Sequence, residues 1–205
     1  MNLNLIQFAD LKIINEYAPR FKDEVVIVAQ NFSMQELEEF NKEKRKSKTK
    51  ILSCKVIEKK DNNELQKFRK KADLIAIRGG SLEMNSWAVH QKIDLLLQPF
   101  THEKNSLDLQ TCNILKDNNI FVCFLFNEFL NSRGFKQTQL IKNASFALVL
   151  LQKAKTPFLF VSGAKEKNDL RAAKDFSSFG VMLGMKKEDA LKTVRTSEKL
   201  LEGLK

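Results

Sequence analysis

Short apolar runs recur along this chain at nearly regular intervals, and this regularity restricts the possible folds more than any other feature of the sequence. Successive runs mostly begin about twenty to twenty-five residues apart, which is the length of one β-strand followed by one helix. The eight predicted strands comprise residues 5–8, 25–29, 51–57, 74–77, 93–97, 120–125, 158–161 and 180–183. Eight such units predict a TIM-barrel-like (β/α) barrel, and the pattern alone leaves an open doubly wound sheet as the alternative.

The intervals between the runs carry helix signals. Ser33 and Glu36 have the spacing of a capping box, and Phe32 and Leu37 are placed to form its hydrophobic staple. Two helices are predicted over residues 127–133 and 135–154, and the second has an apolar face formed by Leu140, Ala144, Ala147, Leu148 and Leu151. A closing helix is predicted over about residues 187–201, with inward positions at Ala190, Leu191, Val194 and Leu201.

Length and composition favour a single domain over residues 1–205, since 43% of the side chains are hydrophobic and can form one core. No window approaches the roughly 18 consecutive apolar residues of a membrane span, and the first ten residues lack the pattern of a secretory signal. Cys54, Cys112 and Cys123 have no paired spacing, which predicts buried free thiols in a reducing compartment. We therefore expect a soluble intracellular protein without a membrane partner.

Positive charge is concentrated in one segment. The formal net charge is +10, and residues 42–71 contain thirteen basic and four acidic side chains. This segment holds the dense run KEKRKSKTK (residues 42–50) and a second group comprising Lys67, Arg69, Lys70 and Lys71. A basic patch of this kind gains affinity for nucleic acid by releasing counterions condensed on the phosphates. The segment favours RNA or another polyanion as the partner, and the alternative is a solvated surface tract.

Several segments in the second half of the chain resemble one known family. They are SGA (residues 162–164), DLRAAKDF (169–176) and FGVMLGM (179–185), with RGGSLEMNSWAVHQKIDLLLQPF (78–100) and FVCFLFNEFLNSRG (121–134) upstream. Together these segments resemble the ribonuclease P protein component 3 family, the TIM-barrel-like protein subunit of archaeal and eukaryotic ribonuclease P. The resemblance extends from Ala72 to about Ala190 and favours the barrel over the open sheet, with any irregularity expected at the first unit.

The resemblance implies a role in tRNA 5′ maturation within a cytoplasmic ribonucleoprotein. In such a complex a separate catalytic RNA, with bound Mg²⁺, acts as the hydrolase that removes the 5′ leader from precursor tRNA. The protein itself is expected to hold no cofactor, no metal and no catalytic residue, and to support the folded RNA. The implied partners are the ribonuclease P RNA, precursor tRNA, protein component 2 and other small protein subunits.

The expected RNA contacts are basic side chains in the charged segment and near the strand ends. They are Lys42, Lys44, Arg45, Lys46, Lys48, Arg78, His90, Arg133, Lys165, Arg171 and Lys174. Arg133 resembles an arginine that the family keeps beyond its sixth strand, and a guanidinium there can fork onto a phosphate. Arg171 and Asp175 are four residues apart on a predicted helix, so a helical salt bridge is the structural alternative for Arg171.

An enzyme of the related metal-dependent phosphoesterase barrels is the alternative function, and an isomerase or lyase barrel comes third. Residues at the predicted strand ends are the places where such chemistry would lie, namely Asp10, Gln30, Asn31, Arg78, Gln98, Ser162, Lys165 and Arg171. The first strand is not followed by a His-x-His pair, and the chain has only His90 and His102. Gln98 stands where the family often has a histidine. This supply of ligands argues against a two-metal centre.

Overall fold

Seven parallel strands form the centre of the molecule. The computed structural model describes residues 2–195, and each strand in it pairs with the next strand along the chain. The strands are β1 (Leu3–Ile6), β2 (Val25–Gln30), β3 (Lys50–Ile57), β4 (Leu74–Arg78), β5 (Leu95–Leu97), β6 (Phe121–Leu125) and β7 (Phe158–Val161). This sequential parallel order confirms a TIM-barrel-like (β/α) arrangement and is not that of a doubly wound sheet.

Nine helices lie within the described residues and cover the outside of the strands. They are α1 (Leu11–Phe21), α2 (Met34–Glu43), α3 (Asn62–Phe68), α4 (Leu82–Val89), α5 (Leu109–Asp117), α6 (Phe126–Leu130), α7 (Gly134–Ala154), α8 (Ala173–Met182) and α9 (Lys187–Arg195). The predicted capping box is confirmed at the start of α2, where the Ser33 and Glu36 side chains each accept from the other's backbone amide. Asp10, Asp61, Ser81 and Asp108 cap four further helices.

The barrel closes between β1 and β7 through a short bridge and two polar side chains. Ile6 and Ala164 form an isolated parallel bridge. The Gly163 amide donates to the Leu5 carbonyl at 2.9 Å, and the Ser162 hydroxyl donates to the same oxygen at 2.9 Å. The Asn4 side-chain oxygen accepts from the Ser162 amide at 3.0 Å. These bonds supply the pairing that two adjacent strands would otherwise make along their whole length.

The eighth predicted strand is wrong. Residues 180–183 belong to the end of α8 and the position after it, and Phe179, Gly180 and Leu183 are buried there. Apolar residues at positions i, i+1 and i+4 fit a helix as well as a short strand, so a run of this length does not distinguish the two. Irregularity was expected at the first unit, but β1 pairs regularly with β2 over four residues. The irregular unit of the barrel is the last one, in which a helix takes the place of the predicted eighth strand.

Alternation along each strand produces two apolar layers. In β2, Val25, Ile27 and Ala29 face the lumen, whereas Val26 and Val28 face the helices. Side chains from all seven strands fill the lumen, and all of them are buried or partly buried. The barrel interior is a packed core and holds the strand ends at fixed positions.

The helix faces were predicted with mixed success. The apolar face of α7 is confirmed, because all five predicted positions are buried. In α9, Ala190 is buried as predicted, but Leu191 is exposed, which makes its predicted inward position wrong. The predicted continuation of this helix to Leu201 lies outside the described residues. Within residues 2–195, no helix is both long and apolar enough to cross a membrane.

The three cysteines are free and buried, as predicted. Burial raises the pKa of the Cys112 thiol to about 12 and raises the pKa of Cys54 and Cys123 as well. Since the thiolate is the reactive form, these side chains act as small apolar core residues.

Asp23 is a buried carboxyl beside the seam that closes the barrel. One of its oxygens accepts from the Asn4 side chain at 3.2 Å, and the other has no hydrogen-bond partner among the described residues. Burial raises the pKa of Asp23 from 3.8 to about 6, an effect that the bond from Asn4 opposes. The neutral form of this carboxyl is therefore more favoured in the folded protein than in the unfolded chain.

Ionisation of Asp23 makes stability depend on pH. Between pH 4 and 6 the unfolded chain has released this proton and the folded chain retains it, so the contribution of Asp23 falls as pH rises through this window. We expect Asp23→Asn to raise the free energy of unfolding by up to about 3 kcal/mol at pH 8 and by only about 1 kcal/mol at pH 4.5. Urea denaturation at both pH values measures this difference. An equal effect of the substitution at the two pH values contradicts the assignment.

Candidate nucleic-acid interface

The predicted RNA contacts divide between the two ends of the barrel. All strands are parallel, so each segment that follows a strand lies at the carboxyl end and each segment that precedes one lies at the amino end. Residues 42–48 precede β3 and therefore lie at the amino end, whereas Arg78, Arg133 and Lys165 follow strands and lie at the carboxyl end. The sequence prediction did not separate these two groups.

At the amino end, the connection from α2 to β3 and the connection from α3 to β4 lie against each other. The Asn41 side chain donates to the Lys71 carbonyl at 3.0 Å, and Lys71 forms an ion pair with Glu38 at 3.4 Å. These contacts join the two basic groups of the sequence into one surface. We call it the amino-end basic surface, and its exposed members are Lys42, Arg45, Lys46, Lys48, Lys50, Lys70 and Lys71.

Lys44 differs from its basic neighbours. Its side chain is only 12% exposed, its ammonium group forms an ion pair with Asp73, and it donates to the Ser53 hydroxyl at 3.1 Å. Asp73 also accepts from the Ser53 amide at 2.6 Å. Lys44 thus fastens the basic segment to the barrel, and its neighbours Arg45, Lys46 and Lys48 carry the exposed charge.

At the carboxyl end, a cavity of about 560 Å³ opens at the mouth of the barrel. Its lining is mostly polar and comprises Gln7, Gln30, Asn31, Glu36, Glu58, Arg78 and Lys165, with Ala29 and Val56 below. Arg78 forms an ion pair with Glu128 at 2.7 Å, and Lys165 lies 3.9 Å from the same carboxylate. One carboxylate from α6 therefore engages both predicted cations of the mouth.

The acidic side chains of the mouth add to this neutralisation. Hydrogen bonds from Ser33 hold the pKa of Glu36 below its usual value, which keeps this carboxylate ionised. Glu58 lines the same cavity. The mouth therefore balances its cations with carboxylates, in contrast to the amino-end basic surface.

The other predicted contacts lie at different places around the barrel. His90 is exposed at the end of α4, on the amino-end side, and Arg133 is exposed at the start of α7. Lys174 is exposed in the first turn of α8. His90 thus shares the amino end with residues 42–48, whereas Arg133 and Lys174 follow strands and lie toward the carboxyl end, so the structure does not gather all the predicted residues into one site.

Arg171 takes neither a helical salt bridge nor a fully exposed position. Its guanidinium donates to the carbonyls of Asn168 and Leu170 at 2.8 and 2.7 Å. Asp175 accepts from the Ala172 amide at 3.0 Å and thereby caps α8. The salt bridge to Asp175, which was the structural alternative for Arg171, is thus replaced by separate backbone contacts, two made by Arg171 and one made by Asp175.

Lys55 is a polar residue of the interior that the sequence analysis missed. Its side chain is 2% exposed, and its ammonium group pairs with Glu64 at 2.8 Å, donates to the Phe32 carbonyl at 2.7 Å and contacts the Asn31 side chain. It also lies 4.4 Å from the centre of the Phe68 ring. A lone lysine inside an apolar strand was the available signal, since lysine is rarely buried without a partner.

Ser162 and Gln98 have structural surroundings at the strand ends. The Ser162 hydroxyl is buried and donates to a backbone carbonyl in the β1–β7 seam, without a base beside it. Gln98 is buried, and its side-chain oxygen accepts from the Leu125 amide at 2.9 Å. Among residues 2–195, no three His, Cys, Asp or Glu side chains lie close enough together to hold a metal ion.

These features define a small parallel (β/α) barrel protein with a basic surface at the amino end of its strands and a charge-balanced mouth. The chain belongs to the RNase P subunit p30 family, whose family model matches residues 18–203. Among curated relatives, it is 29% identical to ribonuclease P protein component 3 of Methanococcoides burtonii over 126 residues, which are 61% of this chain and 52% of that protein. The match to the same component of Thermococcus gammatolerans is 23% identical and covers 85% of each chain.

A solved structure shares this fold over nearly its whole length. It is a chain from the cryo-EM structure of archaeal ribonuclease P with mature tRNA, with a TM-score of 0.85, 21% identity, and coverage of 98% of this chain and 90% of that chain. The chain spans about half the length of the first curated relatives that it matches. The structural likeness supports the barrel fold.

Glu128 controls the charge available at the mouth. We expect Glu128→Gln to raise the affinity for a structured RNA severalfold at low salt, because Arg78 and Lys165 lose their shared carboxylate. The measurement is fluorescence anisotropy with labelled RNA across a salt series. Glu58→Gln is the matched control, because it also removes one carboxylate charge near the mouth, and Glu58 lines the cavity without forming an ion pair with Arg78 or Lys165. Equal effects of the two substitutions contradict a specific role for the contacts of Glu128 with Arg78 and Lys165.

Proposed function

We propose that this chain is a protein subunit of ribonuclease P that binds and supports the catalytic RNA during removal of the 5′ leader from precursor tRNA. The observation that carries the proposal is the family match over residues 18–203. The amino-end basic surface agrees with it, because excess positive charge on a rigid scaffold suits a polyanionic partner.

The contribution of the protein is electrostatic and structural. Exposed cations at Lys42, Arg45, Lys46 and Lys48 neutralise crowded RNA phosphates, and counterion release then favours the complex. Arg78 and Lys165 reach RNA at the mouth by exchanging Glu128 for a phosphate. His90, Arg133, Arg171 and Lys174 are further proposed contacts, of which Arg171 also holds two backbone carbonyls.

Chemistry is assigned to the partner RNA. Mg²⁺ bound there supplies the activated water and the charge stabilisation that hydrolysis of the phosphodiester requires. The protein supplies shape and counter-charge, and the packed barrel resists deformation when phosphates are drawn to its surface. The proposed assembly also contains precursor tRNA, ribonuclease P protein component 2 and other small protein subunits, and it functions in the cytoplasm.

Charge reversal tests the amino-end basic surface. We expect the joint substitution of Lys42, Arg45, Lys46 and Lys48 by Glu to weaken binding to the ribonuclease P RNA by at least about tenfold near 100 mM salt and to flatten its salt dependence. Lys44 stays unchanged because it pairs with Asp73.

The matched control carries the same change of net charge elsewhere. It replaces four exposed lysines outside the amino-end basic surface, namely Lys12, Lys59, Lys104 and Lys187. Filter binding across a salt series compares the two variants, and thermal unfolding verifies that both are folded. An equal loss of RNA affinity in both variants would show that only net charge matters and would remove the assignment to this surface.

Turnover by the protein alone distinguishes the phosphoesterase alternative. We expect the purified chain to cleave neither small phosphate esters nor precursor tRNA in Mg²⁺, Mn²⁺ or Zn²⁺, because its described residues contain no cluster of metal ligands. The assay follows released phosphate and tRNA fragments over a long incubation. Turnover that a chelator abolishes, and that persists after removal of contaminating nuclease, would overturn the subunit proposal.

A further inference from the structure

Helix α7 has apolar side chains on two opposite faces. Leu140, Ala144, Ala147, Leu148 and Leu151 are buried against the barrel. On the outer side, Phe135, Phe146 and Val149 are 78%, 56% and 57% exposed, and their spacing of eleven and three residues places them on one stripe. A surface helix normally turns a polar face outward, and a helix that is apolar on both sides is normally covered on both.

The stripe continues into a groove beside helix α8. A concave groove of about 480 Å³ is lined by Phe146 and Val149 of α7 and by Leu183 and Gly184 after α8. We call the apolar side chains of this groove, Phe146 and Val149 with Leu183, the α7–α8 apolar surface. Its concave form suits a projecting apolar element of a folded partner, since protein interfaces gain most from anchors seated in such grooves.

The charges around this surface have one sign on the α7 side. Residues 134–154 contain Lys136, Lys142 and Lys153 and no Asp or Glu. Lys142 lines the groove itself, one helical turn from Phe146. An apolar centre with ammonium groups at its edge is complementary to an apolar ridge bordered by carboxylates.

We infer that the α7–α8 apolar surface binds a separate protein subunit that presents an apolar ridge bordered by carboxylates. A second copy of this chain is disfavoured, because a two-fold contact between α7 helices brings lysines together. RNA phosphates complement Lys142 but give no apolar contact to Phe146 or Val149. The amino-end basic surface lies at a different part of the barrel, so RNA and this subunit can bind at the same time.

This inference rests on the proposed function, because it assigns the proposed protein partner to a surface. The probe is therefore ribonuclease P protein component 2 encoded in the same genome, titrated into the full-length chain by isothermal calorimetry. We expect the joint substitution of Phe146 and Val149 by Glu to weaken this binding by at least about a hundredfold, since it removes two apolar anchors and sets carboxylates against carboxylates.

Two further variants separate the apolar contribution from the electrostatic one. Lys142→Glu is expected to weaken binding several-fold at 50 mM salt and by little at 500 mM, because only the charge complementarity is screened. Leu82→Glu is the matched control, since Leu82 on α4 is 50% exposed and outside the groove. Circular dichroism verifies that all variants fold, and each should retain RNA binding within about threefold of the Leu82→Glu protein.

Four outcomes overturn the inference. Full binding of component 2 to the Phe146 and Val149 variant assigns the partner to another surface and leaves the proposed function standing. If component 2 does not bind the wild-type chain, component 2 is excluded as a partner. The charge-reversal experiment then still tests the role of this chain in RNA binding. Self-association of the wild-type chain that the variant loses assigns the surface to a second copy. Binding to anionic lipid vesicles that the variant loses assigns it to a membrane surface.

Discussion

Closure of a seven-stranded parallel barrel is the constraint on which the rest of this structure depends. β1 and β7 are too short and too weakly paired to join through a full ladder, so Asn4 and Ser162 complete the seam with their side chains. Gly163 is needed between them, because it has a φ of +59° and a side chain there would lie 2.9 Å from Leu125. Buried backbone groups without partners cost free energy, and this seam gives Leu5, Ser162 and Gly163 theirs. The small-residue motif at 162–164 is thus explained by closure.

The segment after β7 follows from the same closure. The residues described after β7 form no eighth strand. The chain instead turns back over β1, and Leu170 packs in a small cavity against Ile14, Tyr17 and other apolar residues of β1 and α1. Lys167 lies 4.8 Å from the centre of the Tyr17 ring, and the Arg171 carbonyl accepts from the Asn4 side chain at 3.4 Å. Polar residues of this segment therefore form contacts within the fold. Its conformation is explained by the closure of the barrel.

The sequence analysis predicted the elements that depend on local pattern and missed what depends on contacts between distant residues. Seven strands and the α2 capping box were accessible because period and caps are local signals. The strand predicted at 180–183 was wrong because the apolar spacing of this run fits either a strand or a helix. In the candidate site, the density of charge at residues 42–48 was visible, but the partners that remove Lys44 and Arg78 from the free cations are Asp73 and Glu128, 29 and 50 residues away along the chain. No single-sequence pattern reports such pairs, and Lys55 with Glu64 is a third case.

The distribution of polar and apolar surface explains how one small barrel can serve as a scaffold. Its mouth, where barrels commonly carry chemistry, balances Arg78 and Lys165 with carboxylates, and so the excess positive charge is displayed at the opposite end. The outer face of α7 adds an apolar region between the two ends. Binding of the proposed partners at three separate regions would require these regions to keep fixed distances from one another, and the filled lumen provides this because a close-packed interior deforms little. The same core that closes the barrel therefore sets the relative positions of every partner that the surface can bind.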